Sequence, residues 1–180
     1  YGCGPQFLLE SSPWKSDPQE LREFLGTARA RGGEGNEAIE VGLWHANEQE
    51  DVKQIIVIGD AAGNTDPEVA QKRNKIGERH WRGTKYEAPV TTKVELDRLK
   101  GKGVTVDGFY LLKNRGNLVP FFENLAKETG GVAQLLDVNK VEGRELLIGH
   151  ITTSILRHVG GAKADELVGA YNKKFGKMHT

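Results

Sequence analysis

The sequence predicts an α/β fold with three layers, in which a mainly parallel central sheet carries helices on both faces. Short apolar runs alternate along the chain with segments of helical periodicity, which is the pattern of an open parallel sheet. The run at residues 55–59 is apolar throughout, as expected of a strand buried on both faces. We assign residues 1–143 to this domain and expect the helices within 144–180 to pack on it.

The N-terminal part is expected to contain a short strand and two helices. Residues 5–9 resemble the end of a strand, and a polar turn follows them. Asp17 can cap the first helix and Pro18 suits its first position, while the glycine pair at 32–33 is expected to end it. Apolar residues at helical spacing predict a second helix at about 37–49.

After the strand at 55–59, predicted helices and strands alternate along the rest of the chain. An irregular basic and aromatic segment at 80–89 interrupts this alternation. The further predicted elements are helices at 65–80 and 92–101, a strand at 103–112, a helix at 118–128, a strand at 132–136, and helices at 144–159 and 167–175.

Composition excludes several classes of function. Lys plus Arg and Asp plus Glu number 25 each, so net charge provides no general attraction to nucleic acid or anionic membranes. No apolar run approaches the ~20 residues of a membrane span. The single cysteine excludes an internal disulfide framework and, with the lack of an Asn-x-Ser/Thr sequon, favours a cytoplasmic location. Because the chain opens at Tyr1, we expect it to be part of a longer polypeptide or assembly.

Candidate site residues are expected where parallel strands end, because ligands of open α/β sheets gather there. Asp60 follows the strand at 55–59, and a carboxylate in that place is costly unless it is hydrated, paired or bound to a cation. The alternative is that Asp60 caps the loop after it. The glycine-rich turn at 32–38 is not a phosphate-binding loop, since it lacks the Lys-Ser/Thr pair and follows a helix.

A basic segment with interleaved aromatic residues lies between 72 and 87. One hypothesis is a partner surface, since exposed arginine and aromatic side chains make interface hot spots. The candidate partner-contact residues are Asn64, in the loop after Asp60, and Arg79, Trp81, Arg82 and Tyr86 of this segment. The favoured alternative is a solvated helix whose aromatic side chains pack under a long loop, because charge runs usually face water.

Catalysis has little support in the sequence. The five histidines are scattered without metal-ligand spacing, and no nucleophile elbow is present. The loop after residue 58 vaguely resembles the metal loop of haloacid-dehalogenase phosphatases, but the Asp-x-Asp nucleophile motif of that family is absent. We therefore predict that the chain is not an enzyme and keep a Mg²⁺-dependent phosphatase as a minor alternative.

Four segments in order resemble von Willebrand factor A domains, most closely those of the intracellular type. They are GGEGNEAIEVGLWHAN at 32–47, IIVIGDAAGN at 55–64, LKGKGVTVDGFYLL at 99–112 and FFENLAKETGGVAQLLDV at 121–138. The resemblance covers most of residues 5–138. It implies a Rossmann-like fold that lacks its first strand here, because residues 1–9 correspond to the second strand of the family.

The resemblance also implies a metal-ion-dependent adhesion site, in which Mg²⁺ leaves one position open for a carboxylate of the partner. Asp60 corresponds to the Asp of the third loop, whereas Glu34 and Asn36 bracket the position of an absent Thr. The Asp-x-Ser-x-Ser motif of the first strand does not occur, so we expect weak or absent Mg²⁺ binding unless an upstream strand supplies it.

The function predicted from these features is that of a protein-interaction module. It would bind another protein, or a protein segment, at the rim of strand ends around Asp60. The alternative is an architectural domain whose sheet is completed by another segment of a larger assembly. In either case we expect the first strand to come from upstream sequence or from a partner chain, because its neighbours would otherwise keep unpaired backbone groups.

Overall fold

The computed structural model describes residues 1, 4–29, 35–112 and 116–175. The chain forms two compact units, each built from two segments. The helical unit comprises residues 1–50 and 61–102, and the sheet unit comprises residues 51–60 and 103–180. Within the described part of the chain, no helix has both the length and the apolar character needed to cross a membrane.

The described residues of the sheet unit form three parallel strands, β1 (Gln54–Gly59), β2 (Thr105–Tyr110) and β3 (Ala133–Leu135). They lie in the order β1-β2-β3, with Gln54 opposite Thr105. The parallel direction follows from the intervening helices, since a parallel pair needs a crossover connection. All three strands coincide with predicted ones, and the α/β fold class is confirmed.

Helices cover both faces of this sheet. They are α5 (Leu118–Thr129) and α6 (Val141–Gly160), and α7 (Ala164–Phe175) packs on α6. Phe122 of α5 packs on Gly108, where an added Cβ atom would lie only 2.8 Å from its ring. On the opposite face of β2, the ring of Phe109 lies 5.2 Å from that of His150 on α6. Because side chains alternate along a strand, these contacts place α5 and α6 on opposite faces of the sheet.

In the described part of the helical unit there are four α-helices and an irregular segment that runs from Trp81 to Val90. The helices are α1 (Pro18–Thr27), α2 (Ile39–Asn47), α3 (Asp66–Ile76) and α4 (Thr92–Gly101), and a short 3₁₀ turn, Glu78–His80, follows α3. Its core is formed by Val41 of α2 together with Trp81, Tyr86 and Val90 of the irregular segment. Asn47 joins α2 to α4, because its side-chain amide donates to the backbone oxygen and the carboxylate of Glu95 at 2.9 Å each.

Two predictions for the N-terminal part are wrong. Residues 5–9 contain a 3₁₀ turn, Pro5–Phe7, instead of a strand end, and the turn follows Gly4 at a positive φ of 87°. Helix α1 begins after the Asp17 cap as expected but already ends at Thr27, where Ala28 adopts an extended conformation. The glycine pair predicted to end it lies outside the described residues.

The prediction that the strand at 55–59 is buried on both faces is also wrong. Among the described residues, β1 is an edge strand with β2 on one side only, and Ile58 is 46% exposed. The central strand of the sheet is β2, and its residues from Val106 to Phe109 are all buried. An uninterrupted β-branched run therefore indicates a strand here, but not its position in the sheet.

Candidate functional site

Asp60 lies at the carboxyl end of β1, as the sequence predicts. It directly follows Gly59, whose carbonyl oxygen accepts from the backbone N–H of Leu111 at 2.9 Å, and it is solvent-exposed. This exposure removes the desolvation cost of a carboxylate at the end of an apolar strand. Asp60 belongs to the sheet unit, whereas the other predicted site residues belong to the helical unit.

Asn36 is engaged with the start of α3. Its side-chain amide donates to both carboxylate oxygens of Glu68 at 3.1 Å, and its backbone oxygen accepts from Nζ of Lys72 at 2.9 Å. The backbone N–H and the hydroxyl of Thr65 also donate to Glu68, and these hydrogen bonds lower the pKa of Glu68. Asn36 thus supports the capping box of α3.

The described residues do not form a metal centre. No group of three or more His, Cys, Asp or Glu side chains among them converges where an ion could be held. Glu34, the third predicted ligand, lies outside the described residues. Mg²⁺ requires several oxygen ligands at close to octahedral geometry, and Asp60 with Asn36 does not supply them. The ligand assignment therefore stays a prediction that depends on further oxygen donors.

Asn64 is buried, with 2% of its surface exposed, and so does not offer its side chain to a partner. Its amide donates to the backbone oxygen of Glu37 at 2.9 Å and to Oε1 of Glu40 at 3.0 Å. The hydroxyl of Tyr1 donates to the same Oε1 atom at 2.7 Å. Burial raises the pKa of Glu40, and the hydrogen bonds from Tyr1 and Asn64 only partly oppose this effect.

We expect Glu40→Gln to stabilise the protein at neutral pH. Since the folded state raises the pKa of Glu40, the unfolded state loses this proton first as the pH rises above about 4.3. The free energy of unfolding therefore falls as the pH rises, until Glu40 ionises in the folded state as well. Glutamine cannot ionise, so Glu40→Gln should remove this loss. The melting temperature should rise by roughly 2–4 °C per kcal/mol gained. Thermal unfolding between pH 4 and 8 measures the change.

The gain from Glu40→Gln should shrink towards pH 4, where both states hold the proton. The matched control is Glu123→Gln on α5, because Glu123 is exposed and its substitution should leave the melting temperature unchanged at every pH. A variant at Glu40 that is less stable than the parent across the whole range would show that ionised Glu40 is the favoured form.

The basic aromatic segment adopts the alternative arrangement, with its aromatic side chains buried. Trp81 is 0% exposed and Tyr86 2% exposed, so neither can contact a partner, and the hypothesis that they do is wrong for this fold. Large aromatic side chains gain most by burial in the core of the helical unit. Arg79 and Arg82 are exposed and remain candidates for partner contact.

Sequence patterns did not predict which charged residues are buried; among the described residues they include Glu40, Glu95, Arg73 and Asp107. Arg73 lies on α3 and is 1% exposed, and Asp107 lies on β2 and is 4% exposed. Asp107 accepts from the backbone N–H of Val132 at 2.8 Å and from the side-chain amide of Gln54, and Nε2 of His150 lies 3.0 Å from its Oδ2. For Asp107, the signal in the sequence was a charged residue within an otherwise apolar predicted strand.

Comparison of the chain with protein-family models, with curated proteins and with solved structures finds no match.

Proposed function

We propose that this chain is a protein-interaction module whose sheet accepts a further strand along the free edge of β1. The observation that carries the proposal is that β1, with the composition of an interior strand, is paired on one side only among the described residues. An extended segment of another protein, or of the same polypeptide, would extend the sheet by strand addition.

The direction of the backbone groups identifies this edge. The carbonyl oxygens of Lys53 and Gly59 accept from β2 and its extension, at 3.3 and 2.9 Å. In a parallel ladder the N–H and C=O groups of one residue face the same neighbour, so alternate positions face opposite sides. The backbone groups of Gln54, Ile56 and Ile58 therefore face away from β2.

The edge lacks the features that prevent strands from pairing. Natural edge strands carry lysine, proline, bulges or inward-pointing charges, and Gln54–Gly59 contains neither a charged residue nor a proline. Purely parallel sheets also occur mostly with their strands enclosed. An added strand would give partners to the outward N–H and C=O groups and would reduce the exposure of Ile58, which is 46%.

The same proposal accommodates the resemblance to von Willebrand factor A domains, which stays a prediction. The added strand would take the place of the missing first strand of that family. Asp60, at the carboxyl end of β1, would then lie at the end of the edge that receives the partner. Mg²⁺ enters the proposal only if the added strand brings the Asp-x-Ser-x-Ser motif.

Amide hydrogen exchange tests the proposal. In the 180-residue chain alone, the amides of Ile56 and Ile58 should exchange faster than those of Ile55 and Val57, by roughly tenfold or more. In the protein isolated with its natural partner or longer polypeptide, the amides of Ile56 and Ile58 should become as protected as their neighbours. Equal exchange rates of Ile56 and Ile58 in the two preparations would contradict strand addition.

A proline pair provides the matched control. Ile58→Pro removes an N–H group that faces away from β2, so the chain should still fold, with the exchange protection of β2 retained. The same variant should abolish the partner-dependent protection of Ile56. Val57→Pro removes an N–H group from the β1–β2 ladder and should reduce the protection of β2 itself. If Ile58→Pro keeps the protection of Ile56, the added strand lies elsewhere.

A further inference from the structure

Three exposed basic side chains follow one another at three-residue spacing between α3 and α4. They are Arg79, Arg82 and Lys85, and we call them the basic row. Trp81 and Tyr86, which lie among them in the sequence, are 0 and 2% exposed. The ammonium of Lys85 lies 5.1 Å from the centroid of the Tyr86 ring, a cation–π contact that holds the charge over the buried ring. The backbone therefore turns the aromatic rings inward and the three bases outward.

The backbone that carries the basic row is a succession of tight turns. The N–H groups of His80, Trp81, Thr84 and Glu87 each donate to the carbonyl oxygen three residues earlier, at 3.0 to 3.2 Å. Turns of this kind bring residues three apart to within about 7 Å of each other. The three bases are therefore held close together, although the segment has no long regular helix.

Side chains fix these turns from the inner side. The guanidinium of Arg73 donates to the backbone oxygens of Tyr86 and Glu87 at 2.7 and 2.8 Å. The indole N–H of Trp81 donates to the backbone oxygen of Arg73 at 3.3 Å, and the hydroxyl of Thr84 donates to that of Trp81 at 2.7 Å. Because a preformed backbone needs little further ordering, it lowers the entropy cost of binding a partner.

The acidic residues of the segment compensate only part of the charge of the basic row. Glu78 accepts from two guanidinium nitrogens of Arg73, at 3.1 and 2.9 Å, so its charge is balanced mainly by the buried arginine. This hydrogen bond lowers the pKa of Glu78, and Arg82 adds to the effect. Glu87 remains as one carboxylate against the three exposed bases. The surface of the segment is therefore positive.

We propose that the basic row binds an acidic segment of another protein through aspartate or glutamate carboxylates. Arginine suits this ligand, because its guanidinium offers two parallel N–H donors that match the two oxygens of a carboxylate. A positive patch that meets a negative one also steers association and fixes register. The basic row belongs to the helical unit, so this proposal does not depend on strand addition at β1 of the sheet unit.

Nucleic acid fits the basic row less well than an acidic protein segment does. Single strands are usually bound through bases that stack on exposed aromatic side chains, and both Trp81 and Tyr86 are buried. Duplexes are bound by a broad basic face, whereas this chain has as many acidic as basic residues, 25 of each.

Fluorescence anisotropy of a labelled octaglutamate peptide, titrated with the 180-residue chain, tests the proposal. We expect saturable binding that weakens from low to physiological salt, where the Debye length is about 8 Å. The triple variant Arg79→Gln, Arg82→Gln, Lys85→Gln should weaken the affinity by about tenfold. This change corresponds to ~1.4 kcal/mol, as expected for the loss of three exposed ion pairs.

The matched control removes three exposed charges from the sheet unit, in the triple variant Arg144→Gln, Lys163→Gln, Lys173→Gln. It should keep the affinity within about twofold of the parent, because distant exposed charges are largely screened by salt. Both variants should keep the melting temperature of the parent, since all the substituted side chains are exposed.

Three results would overturn the proposal. Equal weakening by the two triple variants would reduce the effect to general electrostatic attraction. Tighter binding of a labelled oligothymidine of the same charge, lost in the variant of the basic row, would assign the surface to nucleic acid. Absence of saturable peptide binding up to millimolar concentrations at low salt would show that the bases only face water.

Discussion

Substitution of Arg73 by methionine is expected to lower the free energy of unfolding by about 3–5 kcal/mol. The guanidinium donates to the backbone oxygens of Tyr86 and Glu87 at 2.7 and 2.8 Å, and it lies 4.7 Å from the ring centroid of Trp81. Methionine would keep much of the volume but leave both carbonyl oxygens without a donor. Urea denaturation at neutral pH measures the loss.

The ion pair of Arg73 with Glu78 should contribute little to this loss. Glu78 is bound by two guanidinium nitrogens, at 3.1 and 2.9 Å, but its side chain is 53% exposed and regains water when the arginine is removed. Most of the effect therefore comes from the two backbone oxygens and the Trp81 ring. Arg73→Lys keeps the charge without the planar fork, and we expect an intermediate loss of stability.

Arg98 provides the matched control for Arg73. It also joins two glutamates, Glu48 and Glu95, at 2.8 and 2.7 Å, but its side chain is 40% exposed. The exposed pair with Glu48 should contribute about 0.2–1 kcal/mol, whereas Glu95, whose side chain is 6% exposed, keeps the amide of Asn47 as a donor at 2.9 Å. Arg98→Met should therefore cost less than Arg73→Met, which leaves two backbone oxygens without a donor. Similar losses from the two substitutions would show that Arg73 acts only through its charge.

Substitution of Asp107 by alanine is expected to destabilise the sheet unit by about 2–4 kcal/mol. The carboxylate holds together three parts of that unit, namely Gln54 of β1, the Val132 N–H before β3 and His150 of α6. Alanine would leave the Val132 N–H without its acceptor. Hydrogen exchange of the three strands, compared with that of the helical unit, would locate the loss.

The contribution of Asp107 should depend on pH. Burial alone would raise the pKa of Asp107, but His150, Gln54 and the Val132 N–H together lower it below its ordinary value. The unfolded state therefore takes up the proton first, so the stabilisation is complete above about pH 4 and is lost as the pH falls through the folded-state pKa. Asp107→Asn should flatten this acid dependence in urea denaturation between pH 2 and 7, whereas exposed Asp97→Asn should not.

Much of the secondary structure was predictable because it depends on neighbouring residues. The capping box of α3 forms between Thr65 and Glu68, three residues apart, and both the composition and the spacing of that box are visible in the sequence. The strand and helix alternation was also predictable, since each period reflects a local pattern of apolar residues. The position of Asp60 after β1 followed from the same reasoning.

The roles of Trp81 and Tyr86 could not be predicted in this way. Both lie in an irregular segment without periodicity, so the sequence leaves open whether they face water or the core. The backbone oxygen of Arg73, which receives the indole N–H of Trp81 at 3.3 Å, belongs to a different element. Only the packing of α2, α3 and the irregular segment decides that these aromatic side chains are buried.

By itself, the sequence determined the fold class, the order of the three strands along the chain and the start of most helices. These features depend on residues within one or two turns of each other, where periodicity and caps act. The tertiary structure decided that β1 lies at an edge, that Asn64 is buried and that Asp107 meets His150. Those outcomes depend on pairs far apart in the chain, whose contact exists only after the elements have packed.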